Sequence, residues 1–127
     1  MTQGLMGKAE TALASARLLL EAGDSDGATN RAYYAMFDAA TAALQWAGST
    51  DTPPKTHSGM IAGFGRDLVQ TAHLPAELGR SLNRVHELRL TADYITAPVP
   101  LDKARQAIEE AARFVAVIRE LLRPPAG

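Results

Sequence analysis

The chain has no cysteine among its 127 residues. That excludes a disulfide framework, a zinc–thiolate site and a cysteine nucleophile, and a reducing compartment is the natural fit. Aromatic residues are sparse, at 6%, and runs of β-branched or aromatic side chains are missing, which removes the usual material of strands. No apolar run approaches the length of a membrane span. Thr2, Gln3 and Gly4 come after Met1 with neither a charged nor an apolar leader segment. No signal peptide and no membrane association are therefore expected, and the expected location is cytoplasmic. Neither sign of charge is in excess, with 13 Lys and Arg against 14 Asp and Glu. Such a surface offers no broad basic face to nucleic acid, so any RNA contact has to be local or built across a dimer.

Alanine and leucine dominate what is present, and both favour helix. The length suits one domain spanning residues 1–127, large enough to bury a core without a covalent staple. The spacing predicts about five helices and no strand, arranged as an up-and-down antiparallel bundle, an all-α fold. Met6, Ala9, Leu13, Ala16 and Leu20 make one apolar stripe on a first helix over about 4–21. Gly23 suits a left-handed C-terminal position, and Asp24 or Ser25 can cap the next helix. That second helix, about 26–46, is apolar over so much of its circumference that it belongs at the centre, with Ala32, Met36, Ala39, Ala43 and Trp46 on one side. Pro53 and Pro54 mark a loop over 48–58. Ile61, Phe64 and Leu68 define a short third helix, and Pro75 opens a fourth that presents Leu78, Leu82, Val85 and Ala92. The last carries a heptad-like seam from Leu101 to Leu122, and a tail remains at 124–127.

Two stretches carry a family resemblance. One is Asn30-Arg31-Ala32-Tyr33-Tyr34-Ala35-Met36-Phe37-Asp38. The other runs from Lys55-Thr56-His57-Ser58-Gly59 to Glu87-Leu88-Arg89-Leu90-Thr91-Ala92-Asp93-Tyr94. In this order and at these separations the blocks resemble the HEPN domain group of small helical proteins gathered as UPF0332. The resemblance implies a helical bundle that commonly forms a homodimer. It also implies frequent pairing with a minimal nucleotidyltransferase acting as antitoxin, in toxin–antitoxin or defence modules, and no cofactor. Many members of the group are metal-independent endoribonucleases built on an arginine with a histidine a few residues later. Histidine moves protons near neutral pH while the ribose 2′-hydroxyl attacks phosphorus. Arginine holds the phosphate oxygens.

Several residues are candidates for that chemistry, each with a plainer alternative. Arg31, Tyr34 and Asp38 form one polar strip, because residues seven apart return to within about 20° on a helix. The strip reads either as a buried ion pair bridged by the tyrosine or as a ligand or RNA site. Arg80 and His86 match the ribonuclease spacing, yet six residues put them about 120° apart around the helix. His86, Arg89 and Asp93 share a face better, although Arg89 and Asp93 can simply be an i,i+4 pair. Tyr94 comes directly after Asp93, with no histidine between Arg89 and Tyr94, which departs from the family motif. In some relatives the partner enzyme nucleotidylates a tyrosine there, so Tyr94 is either an acceptor or a packed residue. His57 belongs to a helix entry capped by Thr56 or Ser58, or to a loop that offers N–H groups to a phosphate. Three histidines in three segments make no metal signature. Two functions lead, with a plain bundle used as a scaffold as a third reading. One is an RNA-directed toxin-type module, with or without ribonuclease activity. The other is a non-enzymatic dimer that binds a nucleotide or docks a nucleotidyltransferase.

Overall fold

The computed structural model describes residues 2–48, 56–94 and 96–124. The described residues fold into five α-helices with no strand: α1 (Thr2–Glu21), α2 (Ser25–Trp46), α3 (His57–Phe64), α4 (Ala76–Tyr94) and α5 (Leu101–Leu122). The Pro53-Pro54 loop and the tail beyond Pro124 lie outside the described residues.

Local chemistry sets the helix ends. Gly23 takes φ +87°, which glycine adopts without a Cβ penalty. The Asp24 side chain then accepts a hydrogen bond from Gly27 N at 2.8 Å and caps α2. Thr56 does the same for α3, accepting from Gly59 N at 2.9 Å, and this cap makes His57 the first helical residue. Pro100 precedes α5, where its missing N–H costs nothing.

Helix α2 is the hub and touches every other element. Ala28, Ala32, Ala35, Ala39, Ala40, Ala42 and Ala43 are all fully buried. Side chains this small let α1 and α5 approach the α2 backbone closely. The small-residue face of α2 is therefore used inside the chain. Tyr33, Met36, Phe64, Phe114 and Ile118 supply the bulk of the core. Phe64 and Phe114 stack at 5.3 Å and join α3 to α5.

Three expectations are corrected. The third helix is not uniform: past Phe64 the chain widens into a π-helical turn, Gly65–Val69, closed by Gln70 N donating to Gly65 O at 2.9 Å. The extra residue re-aims the chain, so that Leu68 is buried and Leu74 N closes on Leu68 O. Trp46 is not in the central stripe. It is 43% exposed at the end of α2, with its ring edge-on to His73 at 5.2 Å, because the helix end has run past the elements that cover its middle. Leu101 opens the α5 seam but is itself exposed, and Leu20 is only half-buried.

Candidate functional site: an aromatic and histidine cluster on α2, α3 and α4

Four side chains at helical spacing on α2, namely Asn30, Tyr33, Tyr34 and Phe37, meet His57 from the start of α3 and His86 and Arg89 from α4. Tyr33 is the pivot and is fully buried. Its hydroxyl is 2.8 Å from His57 Nδ1. Its ring centroid lies 5.2 Å from that of His86. Phe37 packs edge-on against His57 at 5.1 Å. The two imidazoles are 5.9 Å apart, centroid to centroid.

Arg89 supplies the positive charge. Its Nε donates to Asn30 Oδ1 at 2.7 Å, and its Cζ lies 5.3 Å from the ring centroids of both Tyr33 and Tyr34. Cation–π attraction operates at this range. Its hydrogen-bond partner is Asn30 across the helix interface rather than Asp93 one turn on, so the expected Arg89–Asp93 pair does not form. A second bond braces the same end of α2, where Val99 N donates to Asp26 Oδ1 at 2.8 Å.

Burial and this one cation set the electrostatics. Burial pushes the Tyr33 hydroxyl up to about 12, with Arg89 working against that shift and Tyr34 with it. The phenol is therefore neutral and can donate to His57 Nδ1. His57 titrates below its ordinary value, first through burial and then through Arg89. His86 is lowered by burial, by His57 and by Arg89, with Glu87 opposing. Both imidazoles therefore favour the neutral form at pH 7. His86 is 8% exposed, and its Nδ1 is buried without a hydrogen-bond partner, an arrangement that costs about 1–3 kcal/mol and is uncommon in native structures.

The sequence candidates divide accordingly. His57, His86, Arg89 and Tyr34 come together. Arg80 is exposed and enters none of these contacts; its neighbours Ser81 and Arg84 instead bind Glu110 on α5. Asp93 is exposed, and Tyr94 is 84% exposed at the end of α4. Arg31 and Asp38 face another way, toward α1. Together with Tyr34, Lys8, Thr11 and Ser15 they line a groove of about 540 Å³. The expected Arg31–Asp38 ion pair is absent among the described residues. Two helical turns separate the pair, and the cation that acts on Asp38 is Lys8 from across the groove. Asn30, Tyr33 and Phe37 were missed. Their signal was the i, i+3, i+7 spacing of polar and aromatic residues, one position offset from the strip the sequence suggested. Among the described residues no three His, Cys, Asp or Glu side chains are grouped to hold a metal ion, and no helix is long and apolar enough to cross a membrane.

Comparison with known proteins agrees with this architecture. A UPF0332 protein of Gloeobacter violaceus is 35% identical over 122 residues, covering 94% of each chain. A protein of Methanocaldococcus jannaschii that bears the name "Putative toxin" is 35% identical over 121 residues, 95% of this chain and 88% of its own. A UPF0332 protein of Thermotoga maritima is 39% identical over 87 residues, 68% of this chain and 64% of its own. The sequence profile of the HEPN domain matches residues 2–121, and with these relatives it shows that the chain belongs to the HEPN domain family.

Proposed function

We propose that this protein is an RNA-directed HEPN module of the toxin type, and that it cuts RNA at the cluster of His57, His86 and Arg89. The observation that carries the reading is the pair of imidazoles 5.9 Å apart beside one guanidinium. Phosphodiester cleavage by the neighbouring 2′-hydroxyl needs that set. A base removes the hydroxyl proton, O2′ bonds to phosphorus, the P–O5′ bond breaks, and an acid protonates O5′. The products are a 2′,3′-cyclic phosphate and a free 5′-hydroxyl. His86, more deeply buried and held neutral by three influences, is the base. His57, half-exposed and oriented by the Tyr33 hydroxyl, is the acid in its protonated fraction, which its lowered titration keeps small at pH 7 and which grows as pH falls. Arg89 stabilises charge on the non-bridging oxygens.

The test is incubation of the purified chain with single-stranded and structured RNA in EDTA, alongside His57→Ala, His86→Ala and Arg80→Ala. The two histidine variants should lose about 10²–10⁴-fold in rate with helicity intact, and Arg80→Ala should keep parental activity. Product ends other than cyclic phosphate and 5′-hydroxyl, or full activity without either histidine, would overturn the reading.

A second reading is favoured by one observation, the 84% exposure of Tyr94. A tyrosine so placed suits modification by a docked nucleotidyltransferase, with this chain acting as a homodimeric partner rather than as an enzyme. A parental chain that never cuts RNA, gains nucleotide mass on Tyr94 with that partner and sediments as a dimer would replace the first reading with the second.

A further inference from the structure

The groove between α1 and α2 has no part in the chemistry above, yet it shares a wall with it. Tyr34 lines the groove, while its ring centroid lies 5.3 Å from Arg89 Cζ and 6.3 Å from the His57 ring. A volume of about 540 Å³ falls within the usual range for small-ligand sites. Thr11 Oγ1 donates to Gly7 O at 3.1 Å, but the charged groups of the groove are not paired with one another. Among the described residues Lys8, Arg31 and Asp38 form no ion pair, and Asp38 accepts no hydrogen bond. Asp38 is nonetheless half-buried. Burial raises its carboxyl above the ordinary value, and Lys8 only partly opposes this. A desolvated carboxylate without donors is an unfilled demand for N–H groups.

We propose that this groove binds a guanine base of the RNA, next to the phosphodiester held at the histidine cluster. The proposal rests on the RNA-directed reading of that cluster and names the nucleotide it selects. A carboxylate offers two acceptors side by side. Guanine alone among the four bases presents two adjacent donors, N1–H and the exocyclic N2 amine, on one edge. Adenine and cytosine place a ring acceptor beside their amine, and uracil flanks its single N–H with two carbonyls, so each sets a lone pair against Asp38. Tyr34 provides the ring on which a base stacks. Arg31, exposed at the groove's edge, is placed to take the phosphate of the same nucleotide. The small side chains of α1 opposite leave the width for a planar base.

The experiment is titration of the full chain with each of the four nucleoside 5′-monophosphates by calorimetry, repeated with Asp38→Asn and Arg31→Ala after circular dichroism has shown both to be folded. Guanosine monophosphate should bind roughly tenfold or more tightly than the others, as a bidentate base contact discriminates. Asp38→Asn should erase that preference, and Arg31→Ala should weaken all four alike. Absence of binding, equal binding of the four, or a guanine preference that survives Asp38→Asn overturns the proposal. The readout is independent of cutting. RNA cut without regard to guanine would leave the ribonuclease standing and remove this groove. Guanine selection by a chain that does not cut would do the reverse.

Discussion

Replacing Arg89 with methionine removes one charge and keeps most of the apolar stem, so it separates electrostatics from packing. The lost interactions are the bond to Asn30 at 2.7 Å and the cation–π contacts with Tyr33 and Tyr34. A hydrogen bond to a charged group contributes about 1.5–3 kcal/mol. The lower end applies here, because Asn30 is half-buried and can rehydrate. Each partly exposed cation–π contact adds about 0.5–1 kcal/mol. The total is about 2.5–3.5 kcal/mol, which lowers Tm by roughly 9–13 °C for a chain of this size. The second readout is titration of the histidine ring protons by NMR. Arg89 lowers both His57 and His86, so both should titrate at higher pH in the variant. The third is the rate of RNA cleavage, which should fall about 10²–10³-fold, as when one preorganised charge-stabilising donor is removed. A folded Arg89→Met protein that cuts RNA at the parental rate would refute the role of this guanidinium. Histidine titrations that stay where they were would refute the account of the electrostatics.

Three further outcomes are expected. Because the native state holds both imidazoles below their ordinary value of 6.5, the unfolded chain binds more protons between the two values. Stability therefore rises with pH through that window and is lost as pH falls below 6.5; denaturant unfolding from pH 7 downward should show this slope, and His57→Ala together with His86→Ala should flatten it. Tyr33→Phe removes the donor to His57 Nδ1 at 2.8 Å, costing about 0.5–1.5 kcal/mol by thermal unfolding, and it should raise the pH at which His57 titrates, since the neutral form loses its partner. Ala39→Leu should cost about 1–3 kcal/mol or more, because Ala39 is fully buried on the hub helix; a chain that takes the larger side chain without loss of Tm would contradict the close approach of its neighbours.

Much of the fold was legible in the sequence. Alanine and leucine at three- and four-residue spacing, with Gly23 and the prolines as punctuation, were enough for five helices and for α2 at the centre. The π-helical turn was not legible, because Gly65–Val69 carries the same apolar spacing as an ordinary helix. The site was half legible. His86 and Arg89 stand one turn apart, so their common face could be read from spacing. That His57 joins them is a tertiary fact, since nothing local to residue 57 says which part of α2 its helix will start against. The strip on α2 was displaced by one position because charge drew attention to Arg31 and Asp38. The residues that meet His57 are aromatic and amide side chains, which in sequence look like core.

The bonds that close the cluster span long stretches of chain: Tyr33 to His57, Asn30 to Arg89 and Asp26 to Val99. The hairpin of α1 and α2 can form from local contacts as soon as it is made, but the cluster of His57, His86 and Arg89 is incomplete until α4 has been synthesised and docked. A nascent chain therefore lacks the assembled cluster for most of its synthesis. Because His86 and Arg89 both sit on α4, the cluster depends on the docking of that one helix, which brings the two in together.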